Sequence, residues 1–77
     1  MHKRADSADK LAKLCEIEGL DEMALLERDT FDSVCAGICT NAGCDYSCQV
    51  EPDSDSGWCE VCNLNTVCSS LMLAGII

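Results

Sequence analysis

A small α+β fold is what this sequence predicts, and three observations predict it. Apolar residues recur at three- and four-residue spacings through the first thirty positions, and polar and apolar residues alternate over 46–51. Two short cysteine loops, Cys39-x4-Cys44 and Cys59-x2-Cys62, lie 14 residues apart. At 77 residues the chain reads as one domain, 1–77: a helical hairpin over 1–30, a small antiparallel sheet with both cysteine loops over 31–64, and a C-terminal helix over 65–77. So short a chain has little core of its own. A metal ion or several disulfides usually supply the missing stability.

Residues 1–6 read as a frayed end, with the lone histidine, His2, part of that tail. Asp6 or Ser7 can cap a first helix carrying Ala8, Leu11, Ala12, Leu14 and Cys15 on one face. Gly19 suits the left-handed turn that closes it. Asp21 then caps a shorter helix through Met23, Leu25 and Leu26 to about Arg28. A DNA-reading helix needs donors for bases and phosphates; this one offers Glu22 and Glu27, so the pair reads as a packing hairpin.

Beyond Thr30 the period changes. Tyr46, Cys48 and Val50 alternate with Ser47, Gln49 and Glu51, the pattern of a half-buried strand. Pro52 to Gly57 is turn chemistry, and Trp58 to Val61 returns as the partner strand, which would bring Trp58 near Tyr46. A sheet of two or three strands is expected. Asn65 can cap a helix from Thr66 to Ala74. The uncharged end, Leu71 to Ile77, is far shorter than the roughly 20 residues of a membrane span. Val67, Leu71, Met72, Leu73, Ala74, Ile76 and Ile77 are read as core against the hairpin, with a homodimer or partner contact as the alternative.

Eight cysteines in so short a chain raise the question of a secreted disulfide scaffold. Met1-His2-Lys3-Arg4 is followed by Asp6, Ser7, Asp9 and Lys10, where an export signal would turn apolar. The expected setting is therefore a reducing cytoplasm, in which thiols stay free or bind metal. Zinc takes four thiolates in a tetrahedron, and cysteines two to four residues apart let one tight turn aim both sulfurs inward. Gly43 and Asn63 stand where such turns need unusual backbone angles. Cys39, Cys44, Cys59 and Cys62 are thus the expected ligands of one structural Zn²⁺, and 31–64 reads as a zinc ribbon.

Rival cysteine patterns fit less well. Cys35-x3-Cys39 and Cys44-x3-Cys48 could be helical pairs, but Gly37, Asn41 and Gly43 oppose helix there. Plant-type iron–sulfur spacing is present in its first step and missing in its second. Cys59-x2-Cys62 could be a redox pair, but no thioredoxin-like βαβ pattern precedes it. Cys48 is placed on the apolar strand face, and Cys15 and Cys68 on helices, all as small buried hydrophobes. A second metal site or a disulfide among Cys35, Cys48 and Cys68 is the alternative.

Charge narrows the function. The formal net charge is −9, all five basic residues lie in the first 28 positions, and seven carboxylates follow from Asp29 onward. Nothing in that second part can neutralise phosphates, so direct nucleic-acid binding is not expected. The acidic loop Glu51 to Asp55 reads as a solvated turn. No general base, oxyanion site or cofactor motif points to an enzyme. The expected role is a non-enzymatic interaction module that meets a protein partner through its acidic face or apolar C-terminus. The alternative is a metal-handling or redox-sensing thiol protein that uses all eight cysteines.

Residues 38–77 also resemble a group of small, uncharacterised bacterial and phage zinc-ribbon proteins. The residues that carry the resemblance are Ile38-Cys39, Gly43-Cys44-Asp45-Tyr46, Val50-Glu51-Pro52-Asp53, Gly57-Trp58-Cys59-Glu60-x-Cys62, Asn65-Thr66-Val67 and Leu73-Ala74-Gly75-Ile76-Ile77. The resemblance implies the same four cysteine ligands and makes the other four cysteines additions of this chain. It departs at Asn63, where a zinc knuckle often has glycine, and it implies no activity.

Overall fold

The computed structural model describes residues 7–76, so the readings of His2, Asp6 and Ile77 fall outside it. The hairpin forms as its sequence dictates. Helix α1 spans Ser7–Glu18 and α2 spans Glu22–Phe31. Gly19 takes φ +70°, and Leu20 N–H donates to the Cys15 carbonyl at 3.1 Å, the bond that closes a helix with a left-handed residue. Asp21 caps α2, its carboxylate accepting from Ala24 N–H at 2.8 Å.

Four strands follow: β1 (Cys35–Cys39), β2 (Ser47–Val50), β3 (Gly57–Cys59) and β4 (Leu64–Ser69). They form one antiparallel sheet in the order β2-β1-β4-β3, two hairpins joined through their inner strands. Cys39 lies opposite Val67 at the β1–β4 junction, which sets the turns of both hairpins at the same end of the sheet. The acidic segment 51–56 joins the two edge strands at the other end.

Three expectations are corrected here. The sheet has four strands rather than two or three, and β2 pairs with β1 instead of with the strand containing Trp58. Trp58 pairs with Asn65 of β4. Residues 66–69, expected as helix, belong to β4, so Cys68 lies on a strand and the C-terminal helix is one turn, α3 (Ser70–Leu73). Its cap is Ser69 rather than Asn65: the Ser69 hydroxyl accepts from Met72 N–H at 3.2 Å. Asn65 made a plausible cap on paper. The β-branched Thr66 and Val67 beside it favour an extended chain once a partner strand is present.

The sheet buries both faces. Ala36, Ile38 and Cys68 pack with Leu11, Leu14, Leu25 and Leu73 beneath the helices. On the other face Cys39, Cys44, Cys59 and Val67 form a second cluster, with Tyr46, Cys48, Val50 and Cys62 against it. Neighbouring residues thus serve different cores, as the two-residue period of a strand requires. Of the apolar C-terminal run, Val67, Leu71 and Leu73 are buried and Met72 and Ala74 pack half-buried against the helix-side core, whereas Ile76, expected as core, is exposed. No described helix is long and apolar enough to cross a membrane.

Polar bonds lock the layers together. Buried Asp29 of α2 accepts from Ala36 N–H of β1 at 3.3 Å, from the Ser70 hydroxyl of α3, and from Arg28 Nε at 3.1 Å. Arg28 also reaches Glu18 of α1 at 2.8 Å. Buried Ser69 donates its N–H to the Ser54 carbonyl at 2.9 Å and its hydroxyl to the Pro52 carbonyl at 2.6 Å. The acidic segment is therefore pinned at its backbone while its carboxylates face water.

Gly37 permits the curl of the sheet. A Cβ there would stand 2.7 Å from Val50 Cγ2 and 3.0 Å from Val67 Cγ1. Gly37→Ala should therefore cost about 1–3 kcal/mol by overpacking. Chemical denaturation of the metal-loaded protein checks this, and an unchanged midpoint would contradict the packing described.

Candidate metal centre

The two hairpin turns each carry one cysteine loop. Cys39 ends β1 and Cys44 follows in the β1–β2 turn; Cys59 ends β3 and Cys62 sits in the β3–β4 turn. Because the turns share one end of the sheet, all four sulfurs converge, every pair within 4.8 Å. Two contacts cross between the loops: Cys39 Sγ to Cys62 Sγ is 3.9 Å and Cys44 Sγ to Cys59 Sγ is 3.8 Å.

Those separations discriminate between chemistries. A disulfide would require about 2.05 Å. Four sulfurs at about 2.3 Å around a tetrahedral ion stand about 3.8 Å apart along each edge. The observed pairs match the tetrahedral edge. Cys39, Cys44 and Cys59 are buried and Cys62 is half-buried, so the arrangement is closed to all but a narrow approach.

Local backbone geometry aims the sulfurs. Gly43 takes φ +81°, and Cys44 N–H closes the first loop onto the Asn41 carbonyl at 3.2 Å. Asn63 takes φ +56°, and its N–H closes the second loop onto the Cys59 carbonyl at 2.8 Å. Cys62 N–H points at Cys59 Sγ, 3.3 Å away. Such N–H···S contacts stabilise negative charge on sulfur and fix the ligand's direction.

The thiols are not equivalent. Burial pushes the Cys39 thiol up, but the Thr66 hydroxyl 3.1 Å away, Asn41 N–H and the neighbouring thiols outweigh it and bring the group down to about 7. Cys44, with burial dominant, is pushed up to about 12. Of these two thiols, Cys39 is the one its surroundings favour for ionisation and Cys44 the one that resists. A divalent cation would reverse that resistance, because a coordinated thiol is deprotonated outright.

The other four cysteines lie elsewhere. Cys15 sits on α1; Cys35 is buried and donates to the Asp29 carbonyl at 3.4 Å; Cys68 is buried under the helices. Cys48 packs against the metal-side cluster without joining the four. Burial raises the thiols of Cys15, Cys35 and Cys48, which leaves them protonated at neutral pH and poor nucleophiles. Cys39, Cys44, Cys59 and Cys62 are the one ligand cluster among the described residues.

Sequence reasoning missed the residues around the sulfurs. Thr66 reads from the sequence as the start of the C-terminal helix, Asn41 only as a residue that opposes helix, and Lys10 only as a charge that interrupts an export signal. Lys10 is in fact buried, 4% exposed, with its ammonium donating to the Cys44 carbonyl. Their shared signal, a donor held beside a cysteine loop, exists only once the chain has folded.

A scan against protein-family models, a search of curated proteins and a search of solved structures each returned no match. The site is therefore read from its own geometry.

Asn63 offers a test of that geometry. A β-branched side chain in left-handed backbone costs roughly 1–2 kcal/mol, whereas glycine carries no such penalty. Asn63→Val should lower the thermal midpoint and Asn63→Gly should preserve or raise it. Equal midpoints for the two variants would show that the second cysteine turn does not need this backbone angle.

Proposed function

We propose that this chain is a non-enzymatic, cytoplasmic zinc-ribbon module. One structural Zn²⁺ is held by Cys39, Cys44, Cys59 and Cys62, and a basic protein segment docks beside it. The observation that carries the metal reading is the pair of 3.8 and 3.9 Å sulfur separations between the two loops. Thiolates select soft or borderline ions, and a closed four-sulfur shell suits a structural zinc rather than a catalytic one, which keeps a position open for water. The zinc-ribbon resemblance of residues 38–77 points the same way. A metal-storing or redox-sensing role gains less support, because Cys15, Cys35 and Cys68 lie away from the four-sulfur cluster.

Native mass spectrometry of the reduced protein should find one zinc per chain. Removing it with a chelator, or changing Cys59 to Ser, should unfold the sheet, because binding such an ion is worth about 10–16 kcal/mol in apparent terms and is coupled to folding. Two or more tightly held ions, or an unaltered sheet after metal removal, would count against the reading.

The docking reading rests on charge and exposure at the edge strand β3. Trp58 is 51% exposed, Val61 and Leu64 beside it are also exposed, and the outer edge of β3 pairs with no described strand. Asp53, Asp55 and Glu60 flank this strip, and none forms an ion pair among the described residues. An extended segment bearing Lys or Arg would meet carboxylates, an open strand edge and an aromatic face for its cations. The C-terminal run is the weaker surface, since Leu71 and Leu73 are buried.

Titration of the zinc-loaded protein with a lysine- and arginine-rich peptide, followed by Trp58 fluorescence and by isotope-edited NMR, checks the docking reading. Binding should weaken with salt and fall about tenfold in Trp58→Ala, whose shifts should centre on β3 in the wild type. Equal binding by the variant, or shifts centred on the helices, would contradict it.

A further inference from the structure

We infer that Lys10 is the charge partner of the metal centre, a positioning residue through which α1 is docked in proportion to the negative charge on the four sulfurs. This rests on the metal reading above. Lys10 lies in the opening turns of α1, where a cation faces the positive end of the helix dipole. It is also 4% exposed, an environment that lysine rarely accepts without an anion nearby. Two unfavourable placements coincide in one residue.

The anion is not a carboxylate among the described residues. Asp9, Lys13 and Asp45 line the same recess beside the first cysteine loop, together with Lys10, Ala42 and Gly43. Asp45 is taken by Lys13 at 3.8 Å, and Lys13 also reaches Glu16 at 3.5 Å. Asp9 is exposed and forms no ion pair among the described residues. Among the described residues, the Lys10 ammonium donates to the carbonyl of Cys44, a neutral acceptor.

That carbonyl belongs to a residue whose sulfur is in the cluster, so the ammonium stands within a single residue of the metal ligands. Four thiolates around one divalent cation leave a formal charge of −2. A buried cation and a buried dianion placed side by side each relieve the cost of the other, and both are poorly screened. Lys10 thus joins α1 to the β1–β2 turn across 34 positions of sequence, and it does so most strongly when the ion is bound. A bare hydrogen bond to a carbonyl would not need a lysine; a nearby negative charge would.

The test separates charge from hydrogen bonding. Zinc affinity is measured by competition with a chromophoric chelator for the wild type, Lys10→Arg, Lys10→Gln and Lys10→Met. Glutamine can still donate to the Cys44 carbonyl but carries no charge. The inference expects Lys10→Gln and Lys10→Met each to bind zinc about 10–100-fold more weakly, the range for lost outer partners of a metal site, with Lys10→Arg recovering most of the loss. The Lys10→Gln penalty is then measured again in Cys62→His, which lowers the formal charge of the centre to −1, and it should shrink severalfold. A Lys10→Gln affinity matching the wild type, or an equal penalty at both centre charges, overturns the role of Lys10 while leaving the zinc site standing. Failure of the wild type to take up zinc overturns both. Should Lys10→Met not fold, the glutamine and arginine variants still decide the question.

Discussion

The architecture depends on convergence of the two hairpin turns. Each turn holds two sulfurs, and neither pair could close a coordination shell alone. They meet because β1 and β4 run antiparallel with Cys39 opposite Val67, which sends both turns to the same end of the sheet. A one-residue slip in that register would exchange the faces of the strand, moving Cys39 toward the helices and Ile38 toward the metal side. Register, curl and sulfur geometry are therefore one constraint. Gly37 contributes by letting Val50 and Val67 close over the sheet where a larger residue would hold them apart.

Around this centre the chain divides its labour between two small cores. The helix-facing core is conventional, built from leucines of α1 and α2 against Ala36, Ile38 and Cys68. The opposite core is largely sulfur, with Val67 and Val50 as its aliphatic members. Neither is large, which fits a domain that depends on something besides apolar burial. Asp29, Ser69 and Ser70 tie the layers with buried hydrogen bonds, so the single turn of α3 is held at both ends of its packing.

Much of this was legible before folding, for definite reasons. The hairpin announced itself through Asp21 and Gly19, whose local chemistry does not depend on distant partners. The four cysteines were legible because their spacing is a local property of two turns, and Gly43 and Asn63 adopt the positive φ their positions suggested. The strand partners were not legible. β1, Cys-Ala-Gly-Ile-Cys, is buried on both faces, so it shows no alternation, and its small residues carry little strand preference. β4 hides in the same way, its inner half buried on both sides and followed by an apolar run that imitates a longer helix. Lys10 was hidden more completely, since its placement beside Cys44 is set by how α1 docks.

Zinc-edge X-ray absorption on the reduced, metal-loaded protein tests the central claim most directly, because it reads the atoms around the ion without reference to the fold. Four sulfur scatterers at about 2.3 Å, with no nitrogen or oxygen in the inner shell, are the predicted result. A shell that includes light atoms, or a reduced protein whose folded sheet holds no zinc at all, would contradict it.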